Sequence, residues 1–97
     1  MKADYDSEGD TIQIELEEVR RFGHGEDVMN GAVIVHIFEG RPVMVDVIGT
    51  RRGFEEPLRV AAGRYELDGE ALVAAAQAAL AAPDRPVRLD VGVRTAA

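Results

Sequence analysis

The densest apolar stretch runs from Ala32 to Ile48, where AVIVHIF and RPVMVDVI flank Glu39-Gly40. β-Branched and aromatic residues bounded by turn formers predict two strands of a hairpin. Polar and apolar positions do not alternate cleanly in either run, so both faces of this hairpin are expected to be covered. Its turn can be a two-residue loop or a three-residue loop with Gly40 at a left-handed bulge position. The bulged form is preferred, because it asks a positive φ of Gly40 and not of Glu39. Pro42 has no N–H for a ladder, which places the start of the second strand at an edge or just outside the pairing.

Upstream, Ile12, Ile14 and Leu16 alternate with Thr11, Gln13 and Glu15, the period of a strand with one wet face. Asp6-Ser7-Glu8-Gly9-Asp10 before it is turn chemistry, and Lys2 to Tyr5 completes a hairpin. Residues 17 to 31, EEVRRFGHGEDVMNG, are charged and glycine-bearing and read mostly as loop, with Val19, Phe22 and Val28 as anchors. Gly49 to Leu67 shows no clear period and reads as a lid laid across a sheet face. A helix follows: Asp68 is its N-cap, Glu70 sits in the first turn, Leu67 can staple onto Leu72, and Pro83 ends it. Leu72, Ala76, Ala79 and Leu80 form its stripe. Alanine buries little surface at roughly 25 cal/mol per Å², so this helix is thin cover. Val87, Leu89, Val91 and Val93 alternate as a final strand.

These elements predict one α+β domain over residues 1–97. Residues 1–50 form an antiparallel β-meander, and residues 51–97 supply the lid, the helix and the last strand. Four to five strands carry the single helix on one face. The other face needs the lid or a second copy, and a homodimer through the outer face of the central hairpin is favoured.

Charge changes the picture next. The net formal charge is −7, and all of the excess lies in the first half. Such a surface repels phosphate backbones and anionic lipid, so nucleic-acid and membrane binding are disfavoured and a basic protein partner is favoured. With no cysteine, thiolate chemistry and disulfides are excluded, which fits the cytoplasm. No signal peptide is visible in MKADYDSEGD.

Tyr5-Asp6-Ser7-Glu8-Gly9-Asp10-Thr11-Ile12-Gln13-Ile14, followed by the hairpin with its Glu39-Gly40-Arg41 turn, resembles a family of small bacterial proteins, domain of unknown function 2283, over about residues 1–50. Tyr5, Asp6 and Asp10 fall on that family's Tyr-Asp pair and later Asp. The hairpin turn is shorter here, and the region from about residue 51 is an extension. The resemblance implies a β-meander without assigned chemistry, and an antitoxin-like or partner-binding role.

Chemistry-bearing motifs are sparse. Asp4, Asp6, Glu8, Gly9 and Glu15 match the spacing of a calcium loop, but an EF-hand needs flanking helices and this segment alternates as a strand. His36 and Asp46 suggest a dyad. In the two-residue turn they are expected on opposite faces, and in the three-residue turn on one face about 13 Å apart, so contact is not expected. Gly23-His24-Gly25-Glu26-Asp27 offers one histidine beside two acids, read as a solvated loop. Ser7 is the only serine and has no adjoining base. Arg51, Arg52, Arg59 and Arg64 can form a basic strip, with neutralisation by Glu55 and Glu56 the blander reading.

The expected function is a non-enzymatic protein–protein interaction module, antitoxin-like, that binds a basic partner without a cofactor. Asp6, Glu8, Asp10, Arg51 and Arg52 are its candidate partner-binding residues. A small-molecule or metal site at the acidic turn or the His24 loop is the alternative.

Overall fold

A computed structural model of the chain describes residues 1–18 and 23–90. Strands β1 (Lys2–Asp6) and β2 (Thr11–Glu15) form the expected N-terminal hairpin around the acidic turn. β3 (His24–Val28), β4 (Val33–Phe38) and β5 (Arg41–Ile48) follow, then α1 (Glu55–Tyr65), α2 (Gly69–Ala81) and the short β6 (Val87–Arg88). The fold is α+β, with six antiparallel strands in the order β3-β4-β5-β2-β1-β6.

Six strands replace the expected four to five because His24–Val28 is a strand and not a loop. The backbone of β4 needs a partner on its outer side, and β3 supplies one despite its glycine and its acids. Charges along an edge strand also discourage further pairing. Val28, fully buried, is its apolar anchor. Val19 and Phe22 lie outside the described residues. The expected final strand is reduced to Val87–Arg88 against β1, and Val91 and Val93 also lie outside the described residues.

The turn of the central hairpin differs from the bulged form. Glu39 and Gly40 have φ of 52° and 77°, and Phe38 pairs with Arg41 across a two-residue loop. Two left-handed residues match the twist of the flanking strands, and this outweighs the cost of placing Glu39 there. A bulge does occur, but further in: Ile37 pairs with Pro42 while His36 pairs with Met44, so Val43 is the extra residue. Pro42 lies beyond the last β2 partner of β5, Met44, so its missing N–H breaks no β2 rung.

Gly49–Leu67 does lie across a sheet face, but as a regular helix and not as an irregular cover. A 3₁₀ turn at Thr50–Arg52 leads into α1, which buries Leu58, Ala61 and Ala62. Leu58, Ala61, Ala62 and Tyr65 have helical spacing, which Pro57 and Gly63 obscure in the sequence. Pro57 is harmless in the first turn, where its N–H has no intrahelical acceptor. In α2 the expected cap is present: the Asp68 carboxylate accepts from the N–H groups of Glu70 and Ala71. The helix ends at Ala81, before Pro83.

α2 lies over β1 and β2, and α1 over β3 and β4. Both helices therefore cover the same sheet face. Ile12, Ile14, Val33, Val35, Val45 and Val47 point into that layer against Leu58, Leu72, Val73 and Ala76. The first strand of the central hairpin thus alternates after all, whereas Pro42 to Val45 of the second are all buried. Val33, Val35 and Ile37 are buried, whereas Ile34, His36 and Phe38 face the other way and are half-buried. A second helix supplies the cover of the inner face of the hairpin that one alanine-rich helix could not. Among the described residues no helix is long and apolar enough to cross a membrane.

Candidate functional site

The acidic turn and the paired arginines, distant in sequence, meet at one end of the sheet. Register brings the exits of β1, β3 and β5 and the entrances of β2 and β4 to that end. In the turn, Asp6 Oδ1 accepts from the N–H groups of Glu8 (3.1 Å) and Gly9 (3.3 Å). Ser7 donates its N–H and hydroxyl to Asp84, at 2.9 and 2.6 Å. Glu8 faces solvent.

Asp10 joins the two segments. Its carboxylate accepts from the Tyr5 hydroxyl (2.9 Å), the Thr50 hydroxyl and the Arg51 N–H (3.2 Å). Its carbonyl accepts from the N–H groups of Gly49 and Thr50. Asp10 is therefore engaged inside the protein. It holds the turn that carries Arg51 and Arg52, whose guanidinium groups make no ion pair or hydrogen bond among the described residues. Neutralisation by Glu55 reaches only the Arg59 end of the expected strip, where the two side chains are 3.3 Å apart. A four-arginine strip does not form: Arg59 is held by Glu55 and Glu70, and Arg64 reaches the Asp27 carbonyl.

The Thr50 hydroxyl holds the Asp10 carboxyl below its ordinary value near 3.8; partial desolvation opposes this, and the Tyr5 hydroxyl and the Arg51 N–H and charge reinforce it. A carboxyl depressed in the folded state contributes stability above its unfolded pKa and loses it as pH falls through the folded one. Asp84, bonded by Ser7, and Glu26, bonded first by Tyr65 and then by His24, are shifted the same way. Urea midpoints should thus fall on going from pH 6 to pH 2.5, and less steeply in Asp10→Asn. An equal fall in the variant would remove Asp10 from this role.

The sheet face opposite the helices carries polar chemistry. One row across it reads Asp4, Gln13, Asp46, Ile34 and Asp27; the next reads Arg88, Lys2, Glu15, Met44, His36 and Gly25. His36 Nε2 and Asp46 Oδ2 are 2.8 Å apart, with side chains 21% and 20% exposed. The expectation that they do not touch is corrected. In the register past the bulge, Asp46 pairs with Ile34, only two residues from His36, a separation of about 7 Å along the strand and within diagonal reach. Counting the rungs of that register was the signal in the sequence. Gly25 makes room for the pair's neighbours, since a Cβ there would lie 2.9 Å from Ile34 Cγ2 and 3.8 Å from the His36 ring. The remaining oxygen, Asp46 Oδ1, is buried without a hydrogen-bond partner among the described residues.

The His24 segment splits across the sheet. His24 Nε2 meets Glu26 Oε2 at 2.9 Å, and the Tyr65 hydroxyl donates to Glu26 Oε1, all on the helix side. Asp27 points to the opposite face. The calcium-loop spacing is scattered likewise: Asp4 lies on that opposite face, and Glu15 pairs with Lys2 at 3.5 Å at the far end of the hairpin. Among the described residues no three histidines or acids converge where they could hold a metal ion.

No protein-family model matches the chain, and searches among curated proteins and among solved structures find no match either.

Proposed function

We propose that this protein is a non-enzymatic interaction module that receives a basic protein segment on the sheet face opposite its helices. One observation carries the reading. The row Asp4, Gln13, Asp46, Ile34, Asp27 sets carboxylates at both sides and the middle of the sheet with no cation in it, and Ile34 lies within it for an apolar contact. Positive side chains flanking an apolar one fit that row, and opposed charges at a rim speed association and set orientation. Chemistry finds less to work with: the hydroxyl of Ser7 is engaged by Asp84, away from His36. The resemblance of residues 1–50 to the domain of unknown function 2283 family belongs to the same proposal, as do an antitoxin-like role and a bacterial cytoplasmic setting.

A synthetic amphipathic lysine–leucine helix is the probe. NMR titration at 50 mM salt should shift Asp4, Gln13, Ile34 and Asp27, and the double variant Asp4→Lys/Asp27→Lys should bind at least tenfold more weakly, roughly 1.4 kcal/mol. Shifts confined to the helix side, or equal affinity in the variant, would refute the reading. Light scattering on the same samples reads whether the face takes a second copy instead.

A further inference from the structure

At the sheet end, beyond the acidic turn, exposed apolar side chains lie together with two arginines that make no ion pair among the described residues. Among the described residues, Met29, 42% exposed, and Ile48, 45% exposed, are two of the three large hydrophobics left most open to solvent. They line one surface hollow with Gly49, Arg52 and Gly53, and a second hollow that shares Met29, Arg52 and Gly53 continues past Arg51 to Phe54 and Pro57, with Glu55 and Glu56 also in its lining. Such a depression with an apolar floor and two guanidinium groups is uncommon on a chain of net charge −7.

Nor is the arginine turn loosely attached. Five hydrogen bonds from Tyr5, Gly49, Thr50 and Arg51 converge on Asp10, three on its carboxylate and two on its carbonyl. The carboxylate takes a hydroxyl and a backbone N–H of that turn and leaves both guanidinium groups outward. Thr50, 8% exposed, is the buried peg. Presenting two charges from a pinned turn reduces the ordering cost of binding.

We propose that this hollow docks an acidic–apolar peptide segment of a partner protein, with carboxylates on Arg51 and Arg52 and an apolar side chain over Met29 and Ile48. Guanidinium groups match carboxylates in bidentate geometry, and the exposed hydrophobics need an apolar cover that an inorganic anion lacks. Nucleic acid is the poorer occupant. A polyphosphate backbone carries a charge at every step past Glu55 and Glu56 and has no apolar side chain to cover Met29 and Ile48, whereas a short peptide segment carries few charges and supplies that cover. This surface is separate from the carboxylate row proposed to take a basic segment, and the two proposals fail independently, because different variants test them.

The test is titration of the full chain with a hexapeptide, acetyl-Ser-Glu-Asp-Leu-Phe-Ser-amide, followed by NMR. Shifts should cluster at Met29 and Ile48–Phe54. Arg51→Glu/Arg52→Glu should weaken binding at least tenfold, and Ile48→Ser three- to tenfold, with the fold of each checked by its spectrum. Asp10→Asn, which loosens the platform and leaves both arginines, should weaken it by a smaller factor. Shifts elsewhere, no shift at millimolar peptide, or unchanged affinity in the double arginine variant would overturn the proposal. Equal or tighter binding of inorganic phosphate or of single-stranded DNA at the same residues would overturn the peptide assignment.

Discussion

Replacing Leu58 by alanine is expected to cost about 2–5 kcal/mol, as much as the same change at Leu72. Leu58 is fully buried in α1 and Leu72 fully buried in α2. Both enter the core that Ile12, Ile14, Val33 and Val45 build from the sheet side. Deleting either side chain forfeits its transfer free energy and leaves a void that the surrounding strands close only in part. A domain of this size is stable by roughly 5–15 kcal/mol, so each single variant should show a large drop in urea midpoint and the pair should border on unfolded. The comparison is diagnostic of architecture. If Gly49–Leu67 were a loosely laid cover, Leu58→Ala would cost well under 1 kcal/mol while Leu72→Ala remained severe. Chemical denaturation of the two variants side by side decides it.

The second large effect is expected on the opposite face. His36→Val and Asp46→Val should each destabilise by about 1–3 kcal/mol, because each leaves a partly buried polar group without the partner it now has at 2.8 Å. The double variant should lose less than the sum of the two, with a coupling of about 1 kcal/mol. Valine suits a half-buried strand position, and replacing both partners removes the desolvation cost together with the bond. Asp46 Oδ1, a buried oxygen with no hydrogen-bond partner among the described residues, is a standing penalty that Asp46→Val relieves, which places that single variant at the low end of the range and cancels from the coupling. His36 has a further contact besides Asp46. For that reason the single variants alone do not give the value of the pair, and the full cycle is required. Strict additivity in the denaturation midpoints would show that the two side chains are neighbours without being coupled.

Much of the local structure is legible in single segments. Asp68, Leu67 and Pro83 mark both ends of α2 because a cap, a staple and a stop act within a few residues of the helix they bound. Asp6 to Thr11 reads as a hairpin turn because Asp and Gly satisfy a tight backbone with their own neighbours. The strand character of Val33–Phe38 and Val43–Ile48 is equally plain from β-branched content. α1 was legible too, in the spacing of Leu58, Ala61, Ala62 and Tyr65, but Pro57 and Gly63 hide a period that only their positions within the helix make tolerable. β3 was not, since a five-residue stretch with a glycine, two acids and a histidine becomes a strand only when β4 presents an unpaired edge to it.

The candidate sites depended on distance across the fold. Asp10 and Arg51 are far apart in sequence, and nothing near either one announces that a carboxylate of the first turn will fasten the loop after β5. His36 and Asp46 depended on one extra residue, Val43, which moves the register by a single position and so decides which side chains share a row. From the sequence alone come the period of each segment, its caps and turns, and the acidic excess of the first half, because these follow from neighbours within a few residues. Only the tertiary structure decides which face the helices cover, which carboxylates stand in one row and which loop Asp10 fastens, because those outcomes follow from sheet order and register, and both are set by packing between segments distant along the chain.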